Sequence, residues 1–186
     1  MSKNSKVVLA SGSPRRIALL GRLIEDFEVI SPKVDESTEE ADPSLAVMET
    51  ARKKASAIPV DGIVIAADTI VYDGVAIGKP KDEADAVAVL MRLAGRKHQV
   101  YTGVCIKTPN TEDCFYVKTD VFFKPLTEED ALWYVQKYKP LDKAGAYGIQ
   151  DGVVVEKIEG SFDNVVGFPT EEIRERLRLL NVPIKR

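Results

Sequence analysis

An α/β fold with mixed strand pairing is the architecture that this 186-residue sequence predicts. Three observations predict it. Apolar runs of strand length alternate with amphipathic stretches of helix length along the chain, the pattern of layered α/β domains. One run, Gly62-Ile63-Val64-Ile65-Ala66-Ala67, is apolar almost without interruption, as a strand covered on both faces must be. Hairpin signals interrupt the alternation, so the pairing is mixed rather than all parallel.

In chain order, the polar stretch Met1–Lys6 lacks the apolar centre of a signal peptide. Val7-Val8-Leu9-Ala10 reads as a strand that breaks at Ser11-Gly12-Ser13 and enters a helix ending near Leu23-Ile24. Pro14 falls in that helix's first turn, where it costs little because the first helical N–H groups have no intrahelical partner. Phe27–Ile30 is a short strand, and a polar, acidic segment from Pro32 to Ala41 follows. Asp42 and Pro43 supply an N-cap and first-turn proline for a helix through about Ser56. Its Leu45, Met48 and Ala55 are expected to face the core, and Lys53 and Lys54 suit the negative end of its dipole.

The apolar run from Gly62 is expected to end at Asp68-Thr69. Ile70–Tyr72 and Val75–Ile77 then form a hairpin about Asp73-Gly74, a pair that suits a type I′ turn. A helix from Asp82 to Ala94 stops at Gly95. Strands over His98–Thr108 and Cys114–Lys124 follow. Thr127-Glu128-Glu129-Asp130 resembles a capping box and opens a helix through Lys137, with Trp133, Tyr134 and Tyr138 read as core. Lys143–Gln150 is a Gly-containing loop, Val153–Val155 a strand, and Gly160–Pro169 a loop leading to a last helix capped by Thr170.

The length suits one domain over 1–186, with room for two lobes about a cleft. A net charge of −3 argues against nucleic acid as a partner, which would require a basic face. No apolar run approaches the roughly 20 residues of a membrane span. Cys105 and Cys114 are too few for a disulfide framework and lack metal-site spacing; packed thiols in neighbouring strands are expected, with a bridge between them as the lesser alternative. A cytoplasmic protein is expected.

Four features could carry chemistry. Ser11 to Arg16 would gather free helix N–H groups, two hydroxyls and two guanidinium groups at one helix start, which is an anion site suited to phosphate. An ordinary helix start with solvated arginines is an equal alternative for that stretch alone. Asp68, at the expected end of a buried strand, stands where α/β sheets form ligand crevices, although an Asp there can also cap a turn. Glu36 could join Asp68 on a divalent cation, since Mg²⁺ is held by one or two carboxylates with phosphate oxygens and waters. Lys54, Lys79, Arg15 and Arg16 are the candidate phosphate cations. Gly78-Lys79-Pro80 is not a P-loop, because the glycine spacing is wrong and Pro80 replaces the hydroxyl residue. His98, the single histidine, is expected at a strand start without a partner, so a histidine-based triad is disfavoured. Tyr147 could pack or stack, and Gln150 could read the edge of a base.

Taken together, Ala10-Ser11-Gly12-Ser13-Pro14-Arg15-Arg16, Val34-Asp35-Glu36, Ala51–Ala55, Ala66-Ala67-Asp68-Thr69, Gly78-Lys79-Pro80, Tyr101-Thr102-Gly103, Ala146–Gln150, Gly160-Ser161 and Asn164–Gly167 resemble the Maf family of nucleoside triphosphate pyrophosphatases, also associated with inhibition of septum formation. The resemblance runs from Val7 to the last helix. It implies an elongated α/β fold like that of the inosine triphosphate pyrophosphatases, with a deep cleft between two lobes. It implies hydrolysis of a nucleoside triphosphate to monophosphate and pyrophosphate with Mg²⁺ or Mn²⁺. Asp68 then matches the proton acceptor, Arg15, Thr69 and Gln150 the positions tied to substrate choice, and Ser11, Arg16, Lys54 and Lys79 the phosphate site. Glu36 and Asp68 match the metal site. The Tyr147-Gly148-Ile149-Gln150 loop resembles the subfamily acting on dTTP and UTP. The implied partner is a small-molecule nucleotide, with no nucleic acid and no membrane, and a homodimer is an assembly to test. The competing reading is a non-enzymatic, nucleotide-binding regulator of cell division.

Overall fold

The computed structural model describes residues 5–186; Met1 to Asn4, the start of the polar N-terminal stretch, lie outside the described residues. The strands are β1 (Val7–Leu9), β2 (Glu28–Val29), β3 (Ile63–Tyr72), β4 (Ala76–Ile77), β5 (Lys97–Lys107), β6 (Glu112–Phe123) and β7 (Val155–Glu159). The helices are α1 (Pro14–Gly21), α2 (Pro43–Ser56), α3 (Glu83–Leu93), α4 (Glu128–Tyr138), α5 (Phe162–Val166) and α6 (Thr170–Leu179). Among the described residues the strands form one mixed sheet in the order β2-β1-β3-β5-β6-β7, with β4 added beside β3. β1 runs parallel to β2 and β3, and every other pairing is antiparallel.

The strand that carries Asp68 departs from expectation. β3 does not stop at Asp68 but continues to Tyr72, because antiparallel β5 pairs with it from Val64↔Lys107 to Tyr72↔Gln99. What stops is its parallel neighbour: the β1 register ends at Leu9↔Ile65, and the Ala10 N–H makes a last bond to the Ile65 carbonyl at 2.8 Å. Asp68 therefore stands just past the end of β1, on a strand secured from one side and open on the other. The crevice expected at a strand's carboxyl end is present, but it belongs to β1.

Alternation along β3 assigns its two faces. On one face lie two separate apolar cores. The first gathers Leu9, Ile63, Ile65 and Ala67 under Leu20, Leu23, Phe168, Ile173 and Leu177. The second gathers Val71, Val100, Val121 and Phe123 under Leu90, Leu93, Tyr134 and Val135. Helix α2 covers the other face, where Ala51, Ala55 and Ile58 meet Val8, Val64, Ala66 and Cys105.

Several local expectations change. α2 buries Ala46, Val47, Thr50, Ala51, Lys54 and Ala55, so Leu45 points outward. The β3–β4 loop has three residues, and only Gly74 has positive φ, so it is not the type I′ turn, which needs two such residues. Thr170 begins α6 without capping it; its hydroxyl donates to Asp163 instead. β7 starts at Val155, because the chain first turns through Gly152. Trp133 is half-exposed, whereas Tyr134 is buried. Cys105 and Cys114 face one another in the β5–β6 ladder and are joined as a disulfide, not separate thiols. The capping box at Thr127 and Asp130 forms as expected. No helix among the described residues is long and apolar enough to cross a membrane.

Candidate active site

The opening loop folds upon itself before it meets any ligand. Ser13 is the N-cap of α1, its hydroxyl accepting the Arg16 N–H at 3.4 Å, and Pro14 takes the first turn. The Ser11 hydroxyl accepts the Ser13 N–H at 3.2 Å. Arg15 and Arg16 leave the first turn in different directions. Arg16 donates through Nε to the Gly167 carbonyl at 2.9 Å and through Nη2 to Thr69 Oγ1 at 3.1 Å. Arg15 reaches Asp142 at 3.6 Å. Burial pulls the Arg16 pKa below its ordinary value, with the Asp68 carboxylate opposing the shift.

Lys54 is the hub. It sits in the last turn of α2, where a cation suits the dipole, and is 8% exposed. Its ammonium donates to Glu36 Oε1 at 2.7 Å and to the Ala67 carbonyl at 3.1 Å, and approaches Asp68 Oδ1 at 3.4 Å. An ammonium has three protons, and all three have acceptors here. The two carboxylates respond differently to this shared cation. Burial raises the Asp68 pKa, and Lys54 and Arg16 only partly offset it. The Lys54 hydrogen bond holds the more exposed Glu36 below its ordinary range. Asp68 thus gains proton affinity and Glu36 stays ionised, the kind of split that separates a base from a charge-stabilising carboxylate.

Around this hub opens a cavity of about 630 Å³, within the range of small-molecule sites. Ser11, Arg15, Arg16, Glu36 and Lys54 all line it, as do Asp68, Thr69, Lys79 and Gln150, so all nine residues singled out in the sequence converge. Glu36 and Lys79 come from loops, and Gln150 from a 3₁₀ turn over Ile149–Asp151. Asp142 and Lys143 also line the cavity and were missed. Nothing in a short loop around Pro140 distinguishes them from solvated charges; only the tertiary fold brings them opposite Arg15. Five cations thus face three carboxylates in a protein of net negative charge, a local field suited to a polyanion.

The far wall rests on the second core. The Gly148 N–H donates to the Tyr134 hydroxyl at 2.9 Å, and that hydroxyl donates to Asp151 Oδ2 at 2.6 Å, which fixes the turn ahead of and through Gln150. Tyr147 borders the cavity, but its ring packs edge-on against Phe123 and His98, so packing is its main work. His98, expected to lack a partner, meets the Tyr147 hydroxyl through Nε2 at 2.7 Å.

Glu36 and Asp68 fit a divalent cation by donor chemistry, since both are hard oxygen ligands and the bond to Lys54 is made through one oxygen of each. These two are the carboxylates gathered at Lys54, while Asp142 is engaged by Arg15. A pair of carboxylates suits a Mg²⁺-type ion completed by substrate phosphate rather than an all-protein cage.

A family model described as Maf-like protein matches residues 6–180. The chain belongs to the Maf-like family. This Maf-like chain is 48% identical to a dTTP/UTP pyrophosphatase of Thermosipho africanus, over 90% of each chain. It is 44% identical to a dTTP/UTP pyrophosphatase of Deinococcus radiodurans, over 93% of this chain and 92% of that one. Among solved structures it is similar to a HAM1 protein from Coxiella burnetii, with a TM-score of 0.52 and 15% identity, over 95% of this chain and all of the other. That likeness is one of fold.

Proposed function

We propose that this Maf-like protein hydrolyses a pyrimidine nucleoside triphosphate, dTTP or UTP and their modified forms, to the monophosphate and pyrophosphate. The observation that carries the reading is Asp68: a carboxylate of raised proton affinity beside Lys54, in a cavity dominated by cations. The names of the relatives supply the substrate class.

In this reading the triphosphate lies against the Ser11–Arg16 loop, with Arg15, Arg16, Lys54 and Lys79 countering its charge. Asp68 accepts a proton from the attacking water as its oxygen bonds to the α-phosphorus. The bond from that phosphorus to the bridging oxygen breaks, and pyrophosphate leaves. Positioning and charge stabilisation supply most of the rate gain, as is usual in phosphoryl transfer. Glu36 and Asp68 would hold the Mg²⁺ or Mn²⁺, which supplies Lewis-acid stabilisation of phosphate oxygens when bound. Arg15, Thr69 and Gln150 bear on substrate choice. The setting is cytoplasmic, without nucleic acid or membrane as partner, and a homodimer is the assembly to test.

The test is a panel of nucleoside triphosphates, with and without divalent metal, followed by product identification. Pyrophosphate and a nucleoside monophosphate from dTTP or UTP are expected. Orthophosphate with a diphosphate would overturn the reaction, and nucleotide binding without turnover would favour a regulator of cell division.

A further inference from the structure

Tyr101-Thr102-Gly103 stands out in the sequence, yet none of the three residues lines the cavity. Their register explains why they matter. In the β3–β5 ladder Asp68 lies opposite Gly103, and Thr69 lies opposite Thr102. Opposed residues share a face and neighbours alternate, so the dipeptide backs Asp68 on the α2 face and Thr69 on the face of the two cores.

We propose that Thr102 and Gly103 are positioning residues for the hydrolysis proposed above: Thr102 fixes Arg16 on one face of the sheet, and Gly103 lets α2 bring Lys54 to Asp68 on the other. The inference rests on that functional reading for its kinetic consequences, while its geometry stands alone.

The Thr102 arm is a directed chain of hydrogen bonds. A guanidinium only donates, so Thr69 Oγ1 accepts from Arg16. A carbonyl only accepts, so the fully buried Thr102 hydroxyl donates to Asn164 O at 3.0 Å. Between the two hydroxyls, 2.9 Å apart, Thr69 must therefore donate and Thr102 accept. Asn164 is anchored in turn through Nδ2 to Thr119 Oγ1 at 2.9 Å and to Val100 O at 3.3 Å. Each hydroxyl proton has one destination, so the Thr69 lone pair is kept aimed at Arg16. Without the Thr102 oxygen, the Thr69 proton must seek another acceptor and that aim is lost.

The Gly103 arm is steric. A Cβ on Gly103 would stand 2.4 Å from the Val47 carbonyl carbon, 2.5 Å from its oxygen and 2.6 Å from Met48 N. These are backbone atoms and have no rotamer to yield. Val47 and Lys54 lie two turns apart on one helix, so a side chain at 103 lifts the same face that carries the ammonium to Asp68.

The test compares wild type with Thr102→Val, Thr102→Ser and Gly103→Ala. The readouts are pyrophosphate release from dTTP, calorimetric binding of inorganic tripolyphosphate, and thermal melting. Thr102→Val is expected to raise KM and the tripolyphosphate Kd about tenfold with kcat little changed, and Thr102→Ser to restore both. Gly103→Ala is expected to lower kcat about 100-fold, well beyond its effect on KM. Equal impairment in Thr102→Val and Thr102→Ser, wild-type binding in Thr102→Val, or wild-type kcat in Gly103→Ala would overturn the inference. If Gly103→Ala does not fold, the two Thr102 variants decide it. A wild-type protein that releases no pyrophosphate from dTTP or UTP sinks the functional reading instead, and tripolyphosphate binding still tests the Thr102 arm.

Discussion

The two walls of the cleft are built by different means. One wall carries Arg16, Lys54, Asp68 and Thr69, charged and polar groups tied to one another across strands and helices. The other is a run of 3₁₀ turns from Pro140 to Asp151, laid on the second apolar core and pinned by the Tyr134 hydroxyl. On the first wall Arg16 and Lys54 are each held by more than one bond, and Lys54 in turn reaches Asp68, so the cations' places are set before substrate arrives. On the second wall Gln150 is exposed, and what the fold secures is the turn around it, through the backbone of Gly148, Ile149, Asp151 and Gly152. The charged groups of the fixed wall suit chemistry common to all triphosphates. The short turns that carry Gln150 can change without disturbing that charge network, whereas Thr69 ties substrate choice to the fixed wall.

Breaking the fixed wall should cost most. Asp68→Asn is expected to lower kcat about 10⁴-fold while leaving nucleotide binding measurable by calorimetry, because an amide cannot accept the proton. Lys54→Met should lower kcat close to 10³-fold, the upper range for removing one preorganised donor. It should also shift the acid limb of the pH–rate profile upward, since Lys54 is the largest influence holding the Asp68 pKa down against burial.

The second wall answers to the core beneath it. Burial depresses the His98 pKa from 6.5 to about 4, so the folded protein holds this ring neutral over a range where the unfolded chain takes up a proton. Stability from this group is complete above pH 6.5 and is lost as pH falls towards 4, by about 3 kcal/mol in all. Melting temperatures over that interval should fall less steeply in His98→Gln. Smallest is the effect of Tyr134→Phe, which frees the turns around Gly148. About a threefold change in the ratio of kcat/KM for dTTP over a purine triphosphate is expected, with the Asp68-dependent pH profile unmoved.

Much of this contrast was legible in the sequence. The fixed wall is local in origin: Pro14 marks the helix start that aims two arginines, Asp42 and Pro43 mark the helix that ends in Lys54, and an apolar run leads to Asp68. Nonlocal pairing was not legible. The continuation of β3 through Asp68 depends on β5, which lies some thirty residues onward along the chain and carries no signal of its register. The outward turn of Leu45, the bond between His98 and Tyr147 and the approach of Asp142 to Arg15 likewise depend on distant segments. Periodicity reports the face a segment buries; it does not report what it is buried against.

The early ending of β1 also bears on the order in which the molecule assembles. β5 and β6 meet across a tight hairpin, Lys107 with Glu112, whereas β1 must find β3 by pairing Val7 with Ile63. Closing the longer loop costs more chain entropy before any contact repays it. Pulse-labelling hydrogen exchange during refolding should therefore protect the β5–β6 amides before those of β1. Until β1 docks on β3, Asp68 would lack the Ser11–Arg16 loop beside it, and the cavity would be complete only with that closure.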